Sequence, residues 1–418
     1  MAISASTVWE VRTTGNANNG GGYVSGGTDY SQQDAAQLNL TDIACNNSTT
    51  ITSATGGFTS AMVGNILKVT AGTNFTVGYY QIATYVDINT ITLDRKPTST
   101  ADAETGGTIY VGGAAIKMSD ICIVADGVIA GNTIWVKAGT YTDNVVLNTF
   151  GTAITSHLGY NTTRGDNPTG TNRPKIEPST GSCIDVCGAG RKANVVKNFV
   201  FSGSGGASVG IYGSSASGSY AALVNCLARN CSSTGVASGG ITCYNVESYS
   251  NGAGGFYNTI SNGNAGGFFC YSHDNTGAGF AYTNQNNPNF HFSIADSNTS
   301  HGFGGVGNYA MVGSVAYNNT GASSDGFNDI GGVTTGNYNN ISMSNGRYGF
   351  NGSSPVAFDY NCYNNNGTAG LNGITAGAND VTSSPSFTNA AGGDFSLAAG
   401  SPCIDTGYPA HSMAGATV

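Results

Sequence analysis

The sequence predicts an all-β protein, most of it wound into a parallel β-solenoid whose coils surround one filled core. Three observations support this prediction: a repeat of 20 to 24 residues, the many Gly and Asn within it, and the absence of helical periodicity. Each repeat contains a Gly followed by an apolar residue, here called the anchor. The seven anchors are Gly235-Val236, Gly255-Phe256, Gly279-Phe280, Gly302-Phe303, Gly326-Phe327, Gly349-Phe350 and Gly370-Leu371.

Two side-chain ladders are expected from the repeat, because successive coils pair as parallel strands about 4.8 Å apart. The first consists of Asn four residues before the anchor Gly, where Asn suits a turn and its amide can bond the copies above and below. The second consists of inward-pointing Phe rings. The Asn residues are Asn251, Asn275, Asn298, Asn345 and Asn366, and the rings are Phe256, Phe280, Phe303, Phe327 and Phe350. The predicted fold is a right-handed parallel β-helix.

Composition limits the partners of the chain. Charged residues make up 9% of the 418 residues, and the formal net charge is −9. Only Arg229 and Arg347 follow Lys197, against nine Asp and Glu. Such a surface repels a phosphate backbone, so no nucleic-acid partner is expected. No stretch approaches 18 apolar residues, and residues 1–6 lack basic and apolar signal regions, so we expect no membrane span and no signal peptide.

The ten Cys show no metal-ligand spacing, and we predict neither a metal site nor a cofactor. Several lie near one phase of the coil, which favours small buried side chains in an interior stack. Disulfides are the weaker alternative, because a chain without a signal peptide stays in reducing cytosol. The residues are Cys45, Cys122, Cys183, Cys187, Cys226, Cys231, Cys243, Cys270, Cys362 and Cys403.

Residues 1–114 lack the repeat and are predicted to form a β-rich attachment or capping domain. Its candidate strands are residues 7–12, 66–69, 79–83 and 90–94. The glycine-rich run at residues 19–27 is expected to be a loop, because no helix or Lys-Ser/Thr follows it.

Three further segments complete the predicted organisation. A capping helix and linker are expected at 115–131, with Ile116, Ile123 and Val124 on one face and Gly127 at its end. The parallel β-helix should occupy 132–380. Residues 381–418 should form a closing segment.

Several motifs resemble the pectin-lyase-like superfamily of right-handed parallel β-helices. They are Thr-Ile-Trp-Val-Lys-Ala-Gly-Thr-Tyr at 133–141, the run from Arg164 to Ile176, Asp-Phe-Ser-Leu at 394–397 and Gly-Ser-Pro-Cys-Ile-Asp-Thr-Gly at 400–407. The resemblance covers roughly residues 133 to 407 and implies the fold. It does not specify an activity, since this fold hosts lyases, hydrolases, adhesins and phage spikes.

The segments at 8–15, 64–76 and 89–95 resemble domains that precede β-helices in phage virion proteins. This resemblance implies a structural virion protein: a head fibre, a decoration protein or a tail spike, assembled in host cytoplasm and displayed on the virion surface. The implied partners are other capsid or tail proteins and a host-surface polysaccharide. Related spikes are often trimers, so a homotrimer is expected.

Two alternatives remain open, a tail-spike polysaccharide depolymerase and a bacterial surface adhesin. Lyases of this fold resemble pectate lyase in using an Asp cluster for Ca²⁺ and an Arg or Lys base, and the hydrolases use three Asp in fixed motifs. None of these patterns occurs here. The sequence therefore favours a protein without catalytic activity, and no catalytic residue is assigned.

The strongest candidates for chemistry are His273, Asp274 and Asp296. His273 and Asp296 both lie six residues before an anchor Gly, so they should stack on adjacent coils. One interpretation is an acid–base or sugar-binding cluster, with His291 and His301 nearby in sequence. The other is a solvated rung of mixed polar residues, since the same phase holds Tyr249, Thr320 and Asn364.

A second candidate pair is Asp325 and Asp329, which flank the anchor Gly326-Phe327. A catalytic carboxylate pair is one interpretation. A surface loop is the more common situation for such residues.

Overall fold

The structure is a computed structural model. It describes residues 3–98, 103–122, 126–147, 151–187, 193–213, 220–237, 239–258, 266–282, 289–305, 311–331, 336–353 and 357–408. The chain divides into two compact units. One comprises Met1–Glu177, Ile184–Val200 and Gly218–Ala221, and the other comprises Pro178–Cys183, Phe201–Ser217 and Ala222–Val418.

Nearly all of the described chain is β, with a parallel β-solenoid of about eight turns and a small antiparallel N-terminal sheet. The one α-helix among the described residues is Ser119–Cys122, and no helix there is long and apolar enough to cross a membrane. Single turns of 3-10 helix lie at Tyr30–Gln32, Ser60–Met62, Gly170–Asn172, Gly203–Gly205 and Ala390–Gly392.

The N-terminal sheet of the first unit closes into a six-stranded antiparallel barrel. Alternating apolar residues point into it, and Ile43, Leu67, Ile82 and Ile109 are fully buried. The strands are Leu38–Cys45, Thr50–Ser53, Ile66–Thr73, Gly78–Asp87, Thr90–Leu93 and Glu104–Val111. The strands predicted at 66–69, 79–83 and 90–94 are found here.

The first strand of the chain, Val8–Val11, belongs to the solenoid and not to the barrel. It pairs in parallel with Thr133–Lys137 and antiparallel with Gly22–Tyr23. Trp9 is fully buried, and its Nε1 donates to Asn132 Oδ1 at 3.0 Å. The predicted 1–114 domain is therefore divided, because an aliphatic strand with one inward face fits the solenoid as well as it fits a barrel.

The helix is shorter than predicted. Ala115 bridges Val11, so the chain is still extended there, and the helix spans Ser119–Cys122 instead of ending at Gly127. Ile116 is exposed, whereas Met118 is buried. Ile123 and Val124 lie outside the described residues.

The first unit also contains solenoid strands. Thr133–Lys137, Thr155–Tyr160 and Ala193–Lys197 pair side by side in parallel. Thr140–Tyr141 pairs with Lys175–Ile176, and Val145–Val146 pairs with residues 184 and 185 of Ser182–Asp185.

The second unit contains three parallel sheets, here called A, B and C, which each coil visits in turn. Sheet A contains Tyr220–Val224, Ile241–Tyr244, Gly266–Phe268 and Asn289–His291. Sheet B contains Val200–Ser202, Leu227–Arg229, Glu247–Tyr249, Tyr271–His273, Ile294–Asp296, Val315–Tyr317, Ile341–Met343 and Cys362–Asn364. Sheet C contains Val209–Tyr212, Thr234–Ala237, Gly254–Asn258, Phe280–Tyr282, Phe303–Gly305, Phe327–Gly331, Tyr348–Ser353 and Ala369–Asn372.

Two smaller pairs complete the second unit. Asn337–Tyr338 pairs in parallel with Phe358–Asp359. Phe387–Asn389 and Asp394–Leu397 form an antiparallel hairpin in the closing segment, here called the closing hairpin.

The apolar core of these coils is a column of stacked Phe rings behind sheet C. Neighbouring ring centroids are 4.7 to 4.8 Å apart, and the ring planes differ by 2 to 8°. All five rings are at most 1% exposed. The rings are Phe256, Phe280, Phe303, Phe327 and Phe350. Because each ring covers the next, no ring in the column is packed unless its neighbours are present.

A buried amide ladder runs along the turn between sheets B and C. Each Asn donates through Nδ2 to Oδ1 of the Asn one coil on, at 2.8 to 3.0 Å, in the order Asn251, Asn275, Asn298, Asn319, Asn345 and Asn366. Asn319 was not predicted. Three extra residues separate it from Gly326, so its spacing differs from that of the other five.

None of the ten Cys forms a disulfide bond, and nine of them are buried. Cys403, in the closing segment, is half-buried. The interior of the solenoid thus uses Cys as a small apolar side chain.

Candidate functional site

The outer face of sheet B brings His273 and Asp296 together. The two residues are register partners on adjacent strands, and the rung continues to Tyr249 on one side and to Tyr317 on the other. Thr320 is not in this rung, contrary to the prediction. The three-residue insertion that displaces Asn319 places Tyr317 there instead.

His273 is held by two carboxylates. Its Nε2 lies 3.1 Å from Glu247 Oε1, and its Nδ1 lies 2.8 Å from Asp274 Oδ2. The ring stacks against Tyr249 and Tyr271, with centroids 4.8 and 4.3 Å away. Burial alone would lower the pKa of His273, but the hydrogen bonds to Glu247 and Asp274 outweigh it, so the pKa is raised. A protonated ring that donates to both carboxylates fits this geometry.

Asp296 has a different environment. It is 8% exposed and accepts hydrogen bonds from Tyr271 Oη at 3.1 Å and from Ser297 Oγ at 2.7 Å. Burial raises the pKa of Asp296 despite these two donors. This is the kind of carboxyl that can serve as a general acid.

The closing hairpin covers part of this cluster. The ring of Phe395 makes edge contacts with Tyr271 and Tyr317 at 6.3 and 5.5 Å, and Phe387 contacts Tyr317 at 6.1 Å. The rung is therefore not the solvated row of polar residues that was one of the two interpretations. It is a packed aromatic and acidic cluster.

Asp325 lies in an ion pair and not in a surface loop. It is fully buried and accepts from Arg347 Nε at 2.8 Å, Arg347 Nη2 at 2.7 Å and Asn351 Nδ2 at 2.9 Å. The backbone N–H of Tyr348 also donates to it, at 3.2 Å. Asp329 lies at a bulge in the following strand, with φ of +62°. Asp325 is thus committed to structural partners.

Exposed aromatic residues at the turn that follows sheet A were not recognised from the sequence. Tyr244, Phe268 and Phe269 are 50, 42 and 38% exposed. The rings contact one another from coil to coil: Tyr244 with Phe269 at 5.6 Å, Phe268 with His291 at 5.7 Å, and Phe269 with Phe292 at 5.7 Å. These five residues are called the aromatic ledge.

Part of the aromatic ledge is conformationally strained. Phe269 and Phe292 have φ of +58° and +51°, where bulky residues are rare. Residues that accept this conformation easily fill the equivalent turn position in four other coils: Asn225, Asn245, Gly313 and Asn339. In one further coil the position holds another bulky residue, Tyr360, with φ of +58°. The adjacent pair Phe268-Phe269, in place of an Asn at the turn, is the sequence signal for this feature.

A buried ion-pair cluster in the first unit was also missed. Glu10 is fully buried, and its carboxylate lies 2.8 Å from Arg12 Nε and 2.7 Å from Arg164 Nη2. Arg164 also pairs with Asp29 at 3.0 Å. These pairs give Arg12 and Arg164 a structural role.

Among the residues that the structure describes, no group of three His, Cys, Asp or Glu could hold a metal ion.

Parallel strands stacked coil on coil define a parallel β-helix, which confirms the predicted fold class. Similar solved structures include pectate lyase Pel9A, at 18% identity over 67% of this chain and 84% of that chain, with a TM-score of 0.45. The tailspike protein gp49 from Pseudomonas phage LKA1 is 14% identical over 84% and 61%, with a TM-score of 0.22.

A third similar structure is the catalytic domain of a GH87 α-1,3-glucanase in complex with tetrasaccharides. It is 10% identical over 90% of this chain and 96% of that chain, with a TM-score of 0.34. The sequence matches no protein-family profile and no curated protein.

Proposed function

We propose that the chain is a structural component of a phage particle, either a head fibre, a decoration protein or a tail spike, which presents a rigid β-helix and attaches to a host-surface polysaccharide. The observation that carries this proposal is the pair of unbroken ladders in the second unit. The Phe column and the Asn ladder both run through successive coils with almost no solvent contact. Such an array unfolds only with difficulty, coil by coil, which suits a stiff and protease-resistant projection.

The state of the polar cluster on sheet B favours a scaffold over an enzyme. Both ring nitrogens of His273 are engaged by Glu247 and Asp274, and Phe395 lies against Tyr271. A glycosidase needs two carboxyl groups that face one substrate bond across open space. Here the carboxylates are used to hold a neighbouring side chain.

The aromatic ledge is the surface we propose for attachment to a polysaccharide. Three of its rings, Tyr244, Phe268 and Phe269, are exposed on adjacent coils, and it contains no Asp, Glu, Lys or Arg. Aromatic faces exposed on a rigid scaffold bind ligands with little loss of side-chain entropy. Strained backbone at Phe269 and Phe292 is retained where a relaxed Asn or Gly would fit, and strain of this kind clusters at functional positions.

We further propose that the protein assembles in host cytoplasm as a homotrimer and joins other capsid or tail proteins at the virion surface. Light scattering on the purified protein tests the trimer, and a monomer at assembly concentrations would contradict it. Immunogold imaging of particles whose genome encodes this chain tests the location. Labelling of head or tail is expected, and labelling of bacterial envelopes alone would remove the virion role.

Attachment is tested by binding of the purified protein to cells of a susceptible host. The double variant Phe268→Ala, Phe269→Asn is expected to weaken binding at least tenfold, since it removes two exposed rings while Asn keeps the turn conformation. The barrel variant Tyr85→Ala removes one exposed ring elsewhere and serves as the control. Equal binding by the ledge variant and the wild type would contradict attachment through the ledge.

A depolymerase is the second candidate, and Asp296 is the observation in its favour. Its raised pKa and its contact with Tyr271 give it the character of a general acid. Host capsule or lipopolysaccharide incubated with the protein should yield new reducing ends or unsaturated sugars if this role is correct. Robust turnover that is abolished by Asp296→Ala would replace the scaffold proposal with the enzyme.

A further inference from the structure

A groove runs across the outer face of sheet C, and none of its lining residues belongs to the aromatic ledge or to the cluster around His273. Its volume is about 680 Å³, and it crosses the five strands from Val209–Tyr212 to Phe303–Gly305. Five strands at about 4.8 Å each give a length of about 19 Å between the outermost strands. This is the size of a small-molecule or oligomer site rather than a protein interface.

Register creates the groove. Tyr212, Ala237, Tyr257, Ala281 and Gly304 are register partners on consecutive strands and lie on the outer face. Each follows a buried apolar residue in the chain: Ile211, Val236, Phe256, Phe280 or Phe303. Two tyrosines are thus separated by the single methyl group of Ala237, and beyond Tyr257 the floor is formed by Ala281 and Gly304. The aromatic rings therefore stand as walls above a floor of small side chains.

His301 closes the far end of the groove in one defined tautomer. Its Nδ1 accepts a hydrogen bond from the backbone N–H of Asp325 at 3.0 Å, so the ring proton is on Nε2. Burial lowers the pKa of His301, which favours the neutral ring. Gly304 allows this placement, because a Cβ there would meet His301 Cδ2 at 3.2 Å. His301 thus lines the groove as a neutral hydrogen-bond donor.

The remaining lining groups define the ligand chemistry. Hydroxyl groups come from Ser233, Thr234 and Ser300, and no Asp, Glu, Lys or Arg lines the groove. Aromatic walls, hydroxyls, a neutral imidazole and no formal charge match an uncharged, hydroxyl-rich ligand and offer nothing to a phosphate or a carboxylate. An added peptide strand has no edge to join, since the strands of the groove floor are paired on both sides.

We propose that this groove is a binding site for a neutral oligosaccharide, with Tyr212 and Tyr257 stacking on sugar rings and His301 donating to a sugar hydroxyl. The inference deepens the proposed attachment to a polysaccharide by naming an uncharged glycan and a second surface, distinct from the aromatic ledge. Sugar residues would lie across the strands, from the Tyr212 end to the His301 end.

The test is affinity electrophoresis and calorimetry of the full chain with neutral glucan, galactan and mannan oligosaccharides, with oligogalacturonate as the acidic comparison. At least one neutral glycan should bind, with an affinity that changes less than twofold between 50 and 500 mM NaCl. Tyr257→Ala should weaken binding at least tenfold, and Tyr257→Phe, which keeps the ring, should stay within about threefold. Ala281→Gln should have the same effect as Tyr257→Ala, because it fills the floor. Unchanged thermal midpoints show that these variants fold.

Three results would contradict the proposal that the groove binds a neutral glycan. They are no binding of any neutral glycan at millimolar concentration, preference for oligogalacturonate, or full binding by both Tyr257→Ala and Ala281→Gln. The ledge variant separates this inference from the proposed function. If only the double variant Phe268→Ala, Phe269→Asn loses glycan binding, the result supports attachment through the ledge and contradicts binding in the groove. If glycan binding depends on Tyr257 but the protein is absent from phage particles, the groove is supported as a binding site and the virion role is contradicted.

Discussion

Removing one rung of the buried Asn ladder should destabilise the solenoid far more than removing an exposed Asn–Asn contact. The variant is Asn298→Ala, at a fully buried position. The Asn298 side chain makes four hydrogen bonds: it accepts from the backbone N–H and the Nδ2 of Asn275 at 3.2 and 2.9 Å, and it donates to Ser272 O and Asn319 Oδ1 at 3.1 and 3.0 Å.

The expected cost follows from these contacts. Four buried hydrogen bonds at about 1 kcal/mol each amount to about 4 kcal/mol. The Asn275 Nδ2 keeps its bonds to Ser248 O and Ser272 Oγ, whereas its backbone N–H loses the Asn298 acceptor. An unsatisfied buried donor costs about 1 to 3 kcal/mol, which is consistent with that total. The matched control is Asn372→Ala, which loses one exposed bond to Asn351 Oδ1 at 2.8 Å and should cost less than about 0.5 kcal/mol.

Urea denaturation and amide hydrogen exchange provide the assay. A loss of about 4 kcal/mol corresponds to an increase of about a thousandfold in exchange through local opening, because about 1.4 kcal/mol is a factor of ten. The increase should appear in Ile294–Asp296, the strand that precedes Asn298, and in its two neighbours Tyr271–His273 and Val315–Tyr317. A cost for Asn298→Ala no larger than that of Asn372→Ala would refute the ladder as a source of stability.

Three further predictions test other parts of the structure. Phe303→Ala should destabilise the protein by about 3 to 5 kcal/mol, since it leaves a cavity between two stacked rings, and a denaturation midpoint equal to wild type would be inconsistent with the column. Arg347→Ala should cost about 3 kcal/mol because it strips two hydrogen bonds from the buried Asp325 carboxylate, and the double variant with Asp325→Asn should recover part of that loss. The folded-state pKa of His273 is raised, so its stabilising contribution is complete below the unfolded pKa of about 6.5 and is lost as pH rises through the folded pKa. The denaturation midpoint of the wild type should therefore fall more between pH 6 and 9 than the midpoint of His273→Gln. If the two midpoints depend on pH in the same way, His273 is not stabilised as an imidazolium in the folded protein.

The solenoid could be predicted from the sequence because its coils share one physical requirement at each phase. An inward Phe needs another ring above it, and a buried Asn amide needs another amide, so the anchors repeat in the sequence at the period of the coil. The prediction failed where a turn changed length. The insertion before Gly326 hid Asn319 and placed Thr320 in a rung that Tyr317 occupies.

The functional surfaces were harder to predict because they depend on contacts between segments distant in sequence. The sequence favoured a surface loop for Asp325, whereas in the structure Arg347 from the next coil pairs with its carboxylate. The closing hairpin covers Tyr271 from more than a hundred residues away, which no local pattern indicates. The groove on sheet C had a readable signal, the small residues that follow Phe280 and Phe303. This signal indicates a groove only when the strand register is known, because the register places Tyr257 beside Ala281.

The most direct test of the stacked architecture is a pair of double-mutant cycles in the Phe column. Phe280→Leu and Phe303→Leu remove rings whose centroids are 4.7 Å apart, and their coupling should be about 0.5 to 1.5 kcal/mol. Phe280→Leu and Phe350→Leu remove rings that do not touch in the column, and their effects should add to within about 0.5 kcal/mol. Equal coupling in both cycles, or none in the first, would contradict a column in which each ring packs on its neighbour from the next coil.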